Sequence, residues 1–94
     1  MTTLRGKSLV AISKDIADGY VTVNPIFLKP LDAETLKELY HQITKLQAEI
    51  RGEKFPFKDI EAIRYRNIRL QRLHSALMII KNFARERGMK QLFL

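Results

Sequence analysis

Ninety-four residues without a cysteine exclude disulfide stapling and thiolate metal sites, and they suffice for one small domain, 1–94, with a modest core. A hydrophobic content of 46% with 29% charged residues excludes wholesale disorder. The formal net charge of +7 favours an anionic partner and is unevenly placed: residues 59–94 hold eight Lys or Arg against three Asp or Glu, and residues 1–58 hold nine against seven.

The chain does not open on a long apolar run. Leu9-Val10-Ala11-Ile12 is followed by Ser13-Lys14-Asp15, which is too short for a signal-peptide core or a membrane span. The expectation is a cytoplasmic protein with no membrane partner. Gly6-Lys7-Ser8 ends like a P-loop, but the first required glycine would stand at Met1 and no strand precedes it, so no phosphate cradle is assigned.

Residues 1–31 read as an N-terminal arm with two local alternatives. Ser8 can cap a short helix with Leu9, Ile12, Ile16 and Tyr20 on one side and Gly19 as its stop. Alternatively Asp18-Gly19 turns a β-hairpin whose second strand is Tyr20-Val21-Thr22-Val23. Pro25 and Pro30 are expected to keep Asn24 to Lys29 out of helix and leave an extended arm.

Two helices follow. Asp32 is a good N-cap for a helix over 32–51, and Leu36, Leu39, Ile43, Leu46 and Ile50 recur at coiled-coil spacing, with Gly52 as the expected stop. A second helix is predicted over 59–87, capped by Asp59 and ended near Gly88, with a stripe of Ile60, Ile63, Leu70, Leu73, Leu77, Ile80 and Ala84. The short connection makes the two an antiparallel helical hairpin in a mainly all-α fold, with Phe55 and Phe57 plugging the open end near the turn. Residues 88–94 are left as a C-terminal tail.

The second helix outruns the first by about three turns. Its overhang, Met78-Ile79-Ile80 with Phe83, is apolar nearly all round and must be covered, by Val21, Val23, Ile26, Phe27 and Leu28 of the arm or by a second protomer. A weaker second stripe of Tyr65, Ile68 and Ile79 is suited to docking the arm or forming a dimer contact.

Chemistry concentrates in the same helix. From Ala62 to Arg85 it has no acidic side chain, and it carries Arg64, Arg66, Arg69, Arg72, Lys81 and Arg85. Arginines can fork onto phosphates, and Tyr65 could stack on a base. They can equally cover apolar surface with their stems and pair with acids of the first helix such as Glu38 and Glu49. Asn67 and His74 fall seven residues apart in the predicted seam, where a polar residue can fix register, and His74 reads as an interior or boundary histidine. Asp15 and Asp18 read as turn and cap residues. No spacing of His, Asp or Glu matches a metal site, a cofactor motif or a catalytic triad, so no enzyme, cofactor, metal or small-molecule substrate is expected.

Two functions remain. The first is a non-enzymatic protein-interaction module, an adaptor or regulator, binding another protein or a second copy of itself as a homodimer. Its interface residues would be Tyr65, Ile68, Met78, Ile79, Phe83, Leu92 and Phe93. The alternative is nucleic-acid binding through the six cations of the 59–87 helix.

Overall fold

The computed structural model describes residues 3–4 and 6–88. The fold is all-α in character: helices α1 (Leu9–Asp18), α2 (Pro25–Leu28), α3 (Ala33–Gly52) and α4 (Ile60–Glu86) follow a small β-hairpin. In that hairpin β1 (Thr3–Leu4) pairs antiparallel with β2 (Lys7–Ser8), Thr3 opposite Ser8 and Leu4 opposite Lys7.

Side-chain caps fix where the helices start. Ser8 Oγ accepts from the Ala11 amide at 3.1 Å, Asp32 Oδ1 from Thr35 at 2.8 Å, and Asp59 Oδ1 from Ala62 at 3.0 Å. Each bond satisfies one of the amides that a helix N-terminus leaves without an internal partner. Hydrogen bonding from Thr35 holds the Asp32 carboxyl below its ordinary range. The cap at α3 is therefore present above the ordinary aspartate value, and it weakens as pH falls through the lowered one.

Of the two readings for residues 8–23, the helix is the one formed. Gly19 ends it rather than turning a hairpin. Its φ of +86° is left-handed, its N–H donates to Ile16 O, and the Tyr20 N–H donates to Asp15 O. This double closure satisfies the last carbonyls of α1 with a residue that has no Cβ to obstruct the left-handed turn. Tyr20, expected on the inner side of the helix, lies beyond that reversal and is 81% exposed.

The expectation for Asn24 to Lys29 needs correcting. Pro25 does not exclude helix; it starts one, as the first residue of α2, with Asn24 Oδ1 accepting from the Phe27 amide at 2.8 Å. The missing proline N–H is one that the first turn would have left unpaired anyway. Gly52 is likewise not the left-handed stop of α3: it is the last helical residue, and the chain leaves through extended Glu53.

α3 and α4 form the expected antiparallel hairpin, and α1 packs against both. The residues called an arm thus supply a third packed helix. Leu36, Leu39, Ile43, Leu46 and Ile50 are all buried in one cluster with Leu9, Ile12 and Ile16 of α1 and Leu73, Leu77 and Ile80 of α4. Asn67 and His74 do not interrupt this seam; both are exposed. Leu73, Ala76, Leu77, Ile80 and Ala84 take the inward face, and a residue one position beyond Leu73 is turned about 100° away from it.

The excess length of α4 is covered from within the chain. Its 27 residues make a rod of about 40 Å, against 20 residues in α3. Phe27, Leu28 and Leu31 bury themselves with Ile80, while Met78 stays 39% exposed and Ile26 84% exposed. Arg87 fastens this end: it donates to Lys29 O at 2.8 Å and to Leu31 O at 3.3 Å, and its guanidinium lies 4.5 Å above the Phe83 ring.

Phe55 and Phe57 plug nothing. They are 38% and 79% exposed, held in the α3–α4 turn outside the core. The seam closes without them because Ile50 already fills its last layer.

Leu28→Ala should therefore cost about 2–5 kcal/mol of unfolding free energy, as buried leucine truncations do. Ile26→Ala, two residues away, should stay within about 0.5 kcal/mol of the parent chain. Urea unfolding followed by circular dichroism measures both.

Candidate functional site

The arginines of α4 do not form one free basic face. Of the six cations, five arginines and Lys81, three make specific contacts inside the molecule. Arg72 Nη1 donates to Ala17 O, near the C-terminal end of α1, at 3.1 Å. Arg69 Nε lies 3.5 Å from Asp18 Oδ1, an ion pair that lacks hydrogen-bond geometry, and its guanidinium rests 5.1 Å over the Tyr65 ring. Arg66 is half-buried with its guanidinium 5.2 Å over Phe55. The one acid that meets them is neither Glu38 nor Glu49 of α3 but Asp18 of α1, which pairs with Arg69. Arg72 is drawn instead to a C-terminal carbonyl of α1, where the helix carries partial negative charge.

The remaining three are solvated. Arg64 approaches Glu61 only at 3.8 Å, with both side chains largely exposed. Lys81 and Arg85 are exposed and have no partner among the described residues. They stand about 26 Å and 32 Å along the helix from Arg64.

Tyr65 completes a polar clasp. Its hydroxyl donates to Asp18 Oδ1 at 2.9 Å, across 47 positions of sequence. That hydrogen bond, reinforced by desolvation, raises the phenol above the ordinary tyrosine value of about 10. The sign follows: the bond is intact below that value and is lost as pH rises through the raised one. Asp15, the other acid of α1, pairs with Lys7 at 2.7 Å and ties the β-hairpin to the helix.

Beside this clasp runs an open groove of about 490 Å³. One wall is a stripe of α4, Ile68, Arg72, Ser75 and Ile79, at helical steps of four, three and four. The other is the chain reversal after α1, from Gly19 to Val23. Its size falls within the range of ligand sites, and its lining is mixed: Thr22, Gln71, Arg72 and Ser75 stand among the apolar side chains. Ile68 is 45% exposed and Ile79 half-buried. The second stripe therefore does meet the N-terminal segment, but Val21 and Val23 cover it only in part.

Gly19 is fitted to Arg72. A Cβ built on it would lie 2.9 Å from Arg72 Cζ, so the guanidinium occupies the space that any other residue would fill.

The sequence-predicted interface residues are thus divided. Ile68 and Ile79 line the groove, Tyr65 closes the clasp, Met78 is at the surface and Phe83 lies under Arg87. Leu92 and Phe93 lie outside the described residues. Asp18, Gly19 and Arg87 were missed as contact residues. The steps from Ile68 to Ile79 were a readable signal for the groove wall; the opposite wall was not, because it depends on how the chain turns after Gly19.

Among the described residues, no cluster of three or more His, Asp or Glu could hold a metal ion, and no helix is long and apolar enough to cross a membrane. The chain matches no known family model, and no curated protein or solved structure is significantly similar to it.

Two measurements check the clasp. Gly19→Ala should destabilise the fold by about 1–2 kcal/mol from the left-handed φ alone. Because the new methyl displaces Arg72, Arg72→Ala should cost less in that background than in the parent chain, which a double-mutant cycle reads directly. Ultraviolet titration of phenolate should find one tyrosine titrating above the ordinary range, brought back toward it by Asp18→Asn.

Proposed function

We propose that this chain is a non-enzymatic protein-interaction module, an adaptor or regulator, whose groove receives a short apolar segment of a partner protein bearing an acidic side chain. The observation that carries the reading is the open groove itself. It leaves Ile68 and part of Ile79 uncovered on a rigid helix, with the Arg72 guanidinium held in place by Ala17 and Gly19. A preorganised groove of mixed lining, with an exposed isoleucine and one fixed cation, favours a ligand that sets apolar side chains beside one anion.

Self-association is part of this proposal, but its basis moves. The overhang of α4 is largely covered by α2, so Ile68 and the groove side of Ile79, rather than Met78 and Phe83, are the surface that a second copy would use. Nucleic-acid binding is the weaker reading. Arg66, Arg69 and Arg72 each have a contact within the fold, and of the exposed cations Lys81 and Arg85 stand one turn apart but about 26 Å or more from Arg64. A dedicated phosphate-binding face would gather them.

Selection of displayed random peptides on the full chain tests the groove. Enriched peptides should combine apolar residues at helical spacing with Asp or Glu. They should lose at least about tenfold in affinity on Ile68→Asp, and a similar amount on Arg72→Gln only when they carry the acid. Peptides indifferent to Ile68→Asp would overturn the reading. Retention on mixed RNA at low salt, with a salt slope flattened by neutralising Arg64, Lys81 and Arg85 together, would replace it with the nucleic-acid one.

A further inference from the structure

α4 carries two seams of coiled-coil spacing. One is committed to the core: Leu70, Leu73, Leu77, Ile80 and Ala84, at steps of three, four, three and four. The other runs Tyr65, Ile68, Arg72, Ser75 and Ile79 at the same steps, about 140° round the helix. This second seam is not packed. Tyr65 is 52% exposed and Ile68 45%, Arg72 and Ser75 are exposed, and Ile79 is half-buried. The chain reversal after α1 borders it on one side.

A seam of this spacing fits another helix. Steps of three and four keep one straight row of side chains under a partner helix, whose own side chains drop between them. The row from Tyr65 to Ile79 is about 21 Å long, roughly four turns. An extended segment fits it less well. Its side chains recur on one face every ~7 Å, against about 5 Å along the seam, so the two rows fall out of step.

The seam also selects the charge of its partner. Arg72 stands at its midpoint, seven residues from Tyr65 and seven from Ile79. Its charge meets no carboxylate: Nη1 donates to the Ala17 carbonyl, and the guanidinium lies in the space left by Gly19. From Ala62 to Arg85 the helix supplies no acid of its own. A second copy therefore fits poorly. Two such seams in full overlap, parallel or antiparallel, set Arg72 against Arg72 at the centre of the contact. Sliding by one heptad avoids the clash but leaves half of each seam unpaired. Like charges so placed oppose association.

We infer that the groove receives an amphipathic helix of another protein, about four turns long, with apolar side chains on Tyr65, Ile68 and Ile79 and one carboxylate on Arg72. This rests on the groove reading. Of the two occupants that reading admits, it names a different protein rather than a second copy, and it gives the bound conformation. Because Arg72 is central, the acid falls in the middle of the segment whichever way the partner helix runs. A polar pair at one seam position fixes register, so the acid sets where the helix sits.

Fluorescence anisotropy on the full chain tests this with a labelled peptide of about 18 residues. The probe is a helix of Ala and Gln with Leu at its seam positions and Glu at the central one, so the acid is its only side-chain charge. It should bind at least about tenfold more tightly than versions with Lys or Pro at the centre. Arg72→Glu should reverse the preference between the Glu and Lys peptides, and circular dichroism checks that this variant folds. Failure of the Glu peptide to bind at about 1 mM overturns the helical ligand, as does equal binding of the Pro peptide. Sedimentation velocity on the chain alone reads the rival occupant. A dimer that forms below about 1 mM and is abolished by Ile68→Asp makes the second copy the occupant and overturns the inference. In each of these cases, displayed peptides that depend on Ile68 leave the groove reading standing. Their absence removes both.

Discussion

The C-terminal end of α1 is gripped by α4, and much of the molecule's surface depends on that grip. Ala17 O accepts from Arg72, while Asp18 meets Arg69 and Tyr65. The contacts hold α1 across the α3–α4 hairpin, where Leu9, Ile12 and Ile16 join its core. They also fix the point from which the chain reverses through Gly19 and runs back beside α4. One wall of the groove exists only because that reversal is pinned.

The same contacts change what the basic charge means. An acid-free run of 24 residues with six cations suggests a surface waiting for phosphate. Half of those cations instead meet a carbonyl, a carboxylate or an aromatic ring of the same chain. Arg66 covers Phe55, Arg69 covers Tyr65 and Arg72 meets Ala17 O; just beyond the run, Arg87 covers Phe83. Guanidinium groups are suited to this work, since they are planar, weakly hydrated and able to donate in several directions at once.

Much of the architecture was legible in the sequence, for reasons that are local. Asp32 and Asp59 announce their helices because a cap acts within three residues, and the α3 seam is written at regular spacing from Leu36 to Ile50. Errors arose where one signal has two uses. Proline can forbid a helix or begin one, and at Pro25 the deciding residue was Asn24. Glycine after aspartate can turn a hairpin or end a helix, and at Gly19 it ends α1. The candidate groove was legible on its α4 side alone. Asp18 as partner of Tyr65 and Arg69 could not be read, because the pairing is set by tertiary packing and not by spacing.

The clasp also joins distant parts of the chain. The α3–α4 turn closes a loop of seven residues, whereas the bonds from Tyr65 to Asp18 and from Arg72 to Ala17 close loops of 47 and 55. The longer closure costs about 2 kcal/mol more chain entropy. The hairpin is thus the cheaper closure, while the reversal at Gly19 is closed locally on α1 and reaches α4 only through the clasp. A groove with one wall on α1's reversal and the other on α4 is open or absent as one unit: when α1 comes away from the hairpin, the groove goes with it.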